Sequence, residues 1–154
     1  MADRDGDDGI RAPLRLRALA SWQAGKVATL GTRLTAQHMP LSARSDFAAL
    51  AALEEFGPLS QADIGRRLSL DRNDVNSVLT RLDSQDRVER HPDPANRRRN
   101  VVTLTDAGHR YLNALQHKAD AVQAELLAGL DTTEQQQLQA LLDKVLAGHR
   151  PQPA

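Results

Sequence analysis

From Leu14 to about Met39, the residues Leu16, Leu19, Ala20, Gln23, Val27, Leu30 and Leu34 recur at three- and four-residue spacing. That period marks one face of a helix. Pro40 ends the pattern, because it lacks an N–H and clashes with the preceding turn. Gly25 and Gly31 weaken it, at about 1 kcal/mol each relative to Ala. Ser42 to Phe56 predicts a second helix with Phe47, Leu50 and Leu53 inside, closed by Gly57-Pro58. Ser60 caps a short helix, Gln61 to Leu68, with Asp63 placed to complete a capping box. Asp71 caps the next, Arg72 to about Gln85, across a Ser69-Leu70 turn. Val88–His91 and Val101–Leu104 are short β-branched runs around a Pro-, Asp- and Asn-rich turn and three arginines. They predict a hairpin with a basic tip. Thr105 caps a long helix to about Leu127, striped by Tyr111, Leu112, Leu115, Ala119, Val122 and Leu126. Asp131, with Glu134, caps a last helix from Thr132 to Ala147 whose apolar face is Leu138, Leu141, Leu142, Val145 and Leu146. Residues 1–12 are charged and non-periodic and read as a disordered tail; 149–154 read as a second tail.

Two capped helices joined by a short turn, followed at once by a basic hairpin, make a winged helix-turn-helix. The fold class is therefore mainly α with a small β-hairpin wing. At about 100° per residue, Val75, Val78, Leu79 and Leu82 of the second motif helix share one narrow, buried stripe. Asn73, Asn76, Ser77, Thr80 and Ser84 gather opposite, flanked by Arg72 and Arg81. A short, polar, uncharged face with arginine borders suits a major groove. Asn can pair bidentately with adenine, Ser and Thr can bond either base type, and the Thr methyl can meet thymine. Arginines can take guanine or phosphate.

Composition narrows the field. The 154 residues carry 20 basic and 20 acidic groups, so bulk charge gives no argument for nucleic acid. The balance is uneven along the chain. Between 87 and 99, Arg87, Arg90, Arg97, Arg98 and Arg99 face Glu89 and Asp93 alone. With no cysteine, a disulfide framework, a thiolate metal site and thiol redox sensing are excluded. The apolar run Phe47–Leu53 is far short of the ~20 residues that span a bilayer, so no membrane partner is expected. The acidic start reads as no export signal. There is no Gly-rich phosphate loop and no His-Glu-x-x-His. The chain reads as a non-enzyme with no cofactor and no metal. His109 and His117 lie eight residues apart, too far to share one metal within a single helix.

From Leu41 to about Leu112 the sequence resembles the multiple-antibiotic-resistance regulator (MarR) family of bacterial winged-helix transcription factors. The residues that carry this are Val88-Glu89-Arg90-His91-Pro92-Asp93-Pro94-Ala95-Asn96-Arg97-Arg98-Arg99 and then Val102-Thr103-Leu104-Thr105-Asp106-Ala107-Gly108. Gly57-Pro58-Leu59-Ser60-Gln61-Ala62-Asp63-Ile64 and Leu68-Ser69-Leu70-Asp71-Arg72 match the two motif helices. The resemblance implies a cytoplasmic homodimer that represses by holding a pseudo-palindromic stretch of double-stranded DNA. It implies a dimerisation helix over 13–40, a DNA-binding domain over 41–105 with recognition helix 71–85 and wing 88–104, and dimerisation helices over 106–148. The DNA-facing set is then Ser60, Gln61, Arg72, Asn73, Asn76, Ser77, Thr80, Arg81, Arg97, Arg98 and Arg99. Arg98 matches the family's minor-groove arginine, with Arg97 and Arg99 on phosphates. Asn96 departs from the family's usual Asp, leaving a neutral hydrogen bond in place of a charge pair. Asp86 stands where many members have Gly in a left-handed turn. Arg87 replaces a common apolar residue and adds charge near the wing.

Many members release DNA when a small aromatic or phenolic effector enters a crevice between dimerisation and DNA-binding regions. Trp22, His38 and Phe47 are the candidate lining here. Each also has a structural reading: Trp22 as an interface anchor, Phe47 as core, His38 as a helix-end residue. The alternative for the whole chain is a winged helix used for protein contacts, which would need neither base-reading residues nor a basic wing.

Overall fold

A computed structural model describes residues 11–149. The two expected tails fall almost entirely outside that range. Seven helices and one hairpin follow in the order α1 (Leu14–Arg17), α2 (Ala20–His38), α3 (Leu41–Phe56), α4 (Gln61–Leu68), α5 (Arg72–Ser84), β1 (Val88–Asp93), β2 (Asn96–Leu104), α6 (Asp106–Leu126) and α7 (Thr132–Ala147). The chain is thus mainly helical with a two-stranded antiparallel wing.

Local chemistry sets the boundaries. Ser60 Oγ accepts from Asp63 N at 3.1 Å while Ser60 N donates to Asp63 Oδ2 at 3.3 Å, the reciprocal capping box. Asp71 Oδ1 accepts from Asn73 N and Asp74 N at 2.8 and 2.9 Å. Asp131 and Glu134 cap α7 reciprocally, both at 2.9 Å. Thr105 Oγ1 accepts from Gly108 N at 2.9 Å and donates to Asp86 O at 2.7 Å, which fastens α6 to the turn after α5. That turn needs Asp86 at φ 55°, the left-handed conformation the sequence suggested. The fit is close: a Cβ on Gly108 would lie 2.0 Å from the Arg87 carbonyl oxygen.

The core of the winged part is built around Leu50, Ile64, Val75, Leu79, Leu82 and Val88, all essentially sealed from solvent. Each such side chain stabilises the fold by about 1.5–3 kcal/mol through burial. The four-residue stripe of α5 faces inward as its periodicity required. A smaller cluster of Met39, Ala43 and Leu115, with Phe47, Tyr111 and Ala119 against it, joins the end of α2 and the start of α3 to α6.

Two elements differ from the sequence expectation. The first helix is interrupted: Leu19 is extended (φ −87°, ψ 118°) and starts α2 afresh. α1 is a single turn with no buried residue, so no packing holds it in line with α2. The freed Arg17 carbonyl accepts from Gln23 Nε2 at 2.7 Å instead. The hairpin is also longer than expected, and its turn is Pro94-Ala95. Asp93 pairs with Asn96 while Pro92 pairs with Asn100, so Arg97, Arg98 and Arg99 form a bulge in β2 with no residues opposite. Side chains replace the missing ladder: Asp93 Oδ1 accepts from Ala95 N at 2.9 Å and Asn96 Oδ1 from Arg98 N at 3.1 Å. The arginines are in the strand rather than at the tip.

Candidate nucleic-acid interface

α5 turns its polar face outward. Arg72, Asn73, Asn76, Ser77 and Thr80 are all exposed, opposite the stripe buried against α3 and α4. Arg97 and Arg98 are exposed beside them on the wing, and no carboxylate pairs with either among the described residues. The base of the wing is pinned to the segment before α4 by backbone bonds between Leu59 and Val102, at 3.2 and 2.8 Å.

Five residues of the expected DNA-facing set have other partners, Thr80 through Arg90 among them. Arg81 turns from the polar face to α3. Its Nε donates to Asp46 Oδ1 at 3.1 Å, and its Nη2 reaches Asp46, the Ser42 carbonyl at 3.3 Å and Ser45 Oγ at 3.4 Å. A buried carboxylate needs a cation, and Asp46 is 2% exposed. That need fixes Arg81. Ser60 is 6% exposed, its hydroxyl enclosed by Asp63 and by Arg99 Nη2 at 2.9 Å. Gln61 spends its amide on the Arg72 carbonyl, Nε2 to O 3.1 Å, which ties the two motif helices together. Arg99 pairs with Asp63 and lies 3.9 Å from Asp93 Oδ2. Arg87, read as surface charge, instead stacks on Tyr111 with its Cζ 3.3 Å from the ring centre.

These contacts shift two ionisable groups. The hydrogen bond from the Ser60 hydroxyl, aided by Arg66, the Ser60 amide and the charge of Arg99, holds the Asp63 carboxyl below the usual carboxylate value against the opposing effect of burial. Burial pushes the Tyr111 hydroxyl up, and the charge of Asp46 adds to it. Tyr111 donates to Asp46 Oδ2 at 3.2 Å. Asp46 therefore joins α5, through Arg81, to α6, through Tyr111.

Two residues that meet α5 were not assigned these contacts from the sequence. Arg90 of β1 lies 3.4 Å from Thr80 Oγ1 and 3.8 Å from Asp83 Oδ2. Its signal was the strand period of two, which puts Arg90 on the same face as buried Val88, toward α5. Asp46 was the other. Its signal was an acid one residue before the apolar run Phe47–Leu53.

The candidate effector residues are scattered. Trp22 is half-buried with Lys26 Nζ 5.2 Å above its ring. His38 Nε2 meets Glu125 Oε2 at 3.2 Å. Phe47 packs against both core clusters. None of the three lines the cleft of about 720 Å³ between α2, α6 and α7, or the one of about 730 Å³ beside α4 and α5. Among the described residues no three His, Cys, Asp or Glu side chains are grouped to hold a metal ion. Among the same residues no helix is long and apolar enough to cross a membrane.

Residues 41–99, from the start of α3 to the wing bulge, match the model of the MarR family. The chain is 30% identical over 100 residues to the HTH-type transcriptional repressor NicR of Pseudomonas putida, covering 65% of this chain and 63% of NicR. The match thus spans just under two thirds of that relative. A probable transcriptional regulator from Pseudomonas aeruginosa superposes with a TM-score of 0.70 at 29% identity, over 85% of this chain and 99% of that one. Across residues 41–99 the chain is similar to the MarR family. Another similar structure is the PcaV transcriptional regulator of Streptomyces coelicolor in complex with its natural ligand. It has a TM-score of 0.72 and 25% identity, over 91% of this chain and all of PcaV. MarR-type proteins such as these are transcriptional regulators, and the winged helix-turn-helix of this chain is the family's fold.

Proposed function

We propose that this MarR-type protein is a homodimeric repressor that reads an inverted repeat in double-stranded DNA, acting in the cytoplasm where that DNA lies. The observation that carries the reading is the outer face of α5. Asn73, Asn76, Ser77 and Thr80 stand exposed there, with Arg72 at one end and unpaired Arg97 and Arg98 on the adjacent wing. The short polar side chains suit base edges, and the free arginines suit phosphates and a minor groove. Ser60, Gln61, Arg81 and Arg99 leave the contact set and support it from behind.

Homodimerisation is supported by apolar surface the chain leaves bare. Leu14, Leu16, Leu19 and Val27 on the first two helices are 41–72% exposed, and Leu141, Leu142, Val145 and Leu146 on α7 are 48–64% exposed. α7 has no buried residue. A helix with such a face needs a second surface to bury it, and a second copy supplies a self-complementary one. A small-molecule effector, for which an aromatic compound is the expectation, rests on the likeness to PcaV, solved with its natural ligand. Trp22 and His38 of α2 are the candidate contacts, with His38 meeting Glu125 of α6. Phe47 is withdrawn from that set, because its partly buried ring packs against both core clusters.

Selection from a random duplex pool at two salt concentrations tests the proposal. Enrichment of an inverted repeat with half-sites about 34–36 Å apart, one helical turn, is the expected result. Retention without enrichment would reduce α5 to a shape reader. No retention would favour a protein-binding winged helix.

A further inference from the structure

The three wing arginines do not behave alike. Arg97 and Arg98 are free, whereas Arg99 is held by Asp63 and Ser60 at the start of α4. They sit where the β1–β2 ladder is interrupted, between the pairs Asp93–Asn96 and Pro92–Asn100. Pro92 has no N–H to give a partner. Beyond the Leu59–Val102 bonds, then, the outer wing lacks a continuous backbone attachment to the helices. The Asp63–Arg99 pair bridges that gap. Its carboxylate is 21% exposed on the side chain and its guanidinium 46%.

We infer that Asp63 is a positioning residue for DNA binding: through Arg99 it latches the outer wing to α4 and so fixes where Arg97 and Arg98 stand relative to α5. The inference rests on the DNA-reading proposal. It also assigns a use to the neighbouring departure at Asn96. With a neutral residue there, the steadying charge pair sits three residues further along the strand and reaches α4. Asp63 already serves the capping box through its other contacts with Ser60, so one carboxylate orders the helix start and the wing together.

The latch and a phosphate-contacting Arg99 predict opposite signs for one substitution. An acid near DNA repels phosphate. Were Arg99 a DNA ligand restrained by Asp63, D63N would free it and tighten binding. As a latch, D63N loosens the wing and weakens binding.

The experiment uses the full chain as wild type, D63N, R99Q, the double variant and D63E. Each is titrated by fluorescence anisotropy against a labelled mixed-sequence duplex. Amide hydrogen exchange is followed in the DNA-free proteins. The expected result is a loss of roughly tenfold in affinity for D63N and for R99Q, with no further loss in the double variant. D63E, which keeps the charge and suits a capping box, retains binding. Amides 95–98 exchange faster in D63N and R99Q, while those of Leu59 and Val102 stay protected. R99Q leaves the capping box intact, so it tests the latch even if D63N unfolds. Tighter binding by D63N, additive losses, or unchanged exchange at 95–98 would overturn the inference. If the wild type does not bind the duplex, the DNA reading fails by itself, and exchange still decides whether the latch orders the wing.

Discussion

The winged part and the terminal helices are built from the same residue types but end in opposite states. In α3–α5 and the wing, apolar side chains are sealed and the one buried carboxylate has its cation and its hydroxyl donor. At α1, at the Leu19 break and along α7, leucines with the same helical spacing remain open to solvent, whereas Leu34 of α2 is buried. The difference lies in coverage. The winged part carries enough chain to bury its own stripes, whereas among the described residues nothing buries any side chain of α7. Periodicity states that a face must be buried; it does not state by which molecule.

The largest expected effect comes from attacking the open face. Leu142→Asp with Leu146→Asp would cost a monomer little, since exposed substitutions are usually within about 0.5 kcal/mol. In a twofold interface each leucine counts twice, at about 1.5–3 kcal/mol per burial. Sedimentation at micromolar concentration should then show a folded monomer in place of a dimer. A wild-type monomer would mean the face has another partner.

Gly108→Ala attacks the closed part. Its Cβ would meet the Arg87 carbonyl, and backbone must move to admit it. About 3 kcal/mol of stability should be lost, read from chemical denaturation. A near-neutral result would show that the α6–turn contact is looser than its hydrogen bonds imply.

Tyr111 gives a pH test of the junction between the two parts. Its folded pKa is raised, mainly by burial and then by Asp46. Its stabilising contribution is therefore complete below the unfolded value near 10 and is lost as pH rises through the folded value. It is the chain's sole tyrosine, so tyrosinate absorbance reports on it alone. The folded chain should titrate above the urea-unfolded chain, and Asp46→Asn should narrow the gap. Coincident curves would dissolve the Arg81–Asp46–Tyr111 network.

The smallest effect is a gain. Asp86 holds a left-handed conformation that Gly adopts without strain. Asp86→Gly should stabilise by about 0.5–1 kcal/mol if the relief exceeds the added unfolded-state entropy. A loss would show that entropy wins.

The sequence was most legible where interactions are local. Caps at Ser60, Asp71, Thr105 and Asp131 join residues two or three apart, and the α5 stripe follows from helix geometry alone. It was least legible for long side chains. The helix phase puts Arg81 at the border of the polar face, but a guanidinium reaches far enough to serve either side. Its choice depends on Asp46, thirty-five residues earlier. Arg99 follows the same logic: adjacent to two free arginines in the sequence, it is claimed by Asp63 across the fold. The break at Leu19 left no Gly or Pro to announce it, because its cause is the missing packing of α1.

The central claim is that α5 and the free wing arginines face DNA. The most direct test is the salt dependence of duplex binding by wild type and by Arg98→Ala. A residue that releases one counterion from DNA should, when removed, lower the slope of log K against log salt by about one unit. An unchanged slope at unchanged affinity would contradict the assignment of the wing to DNA.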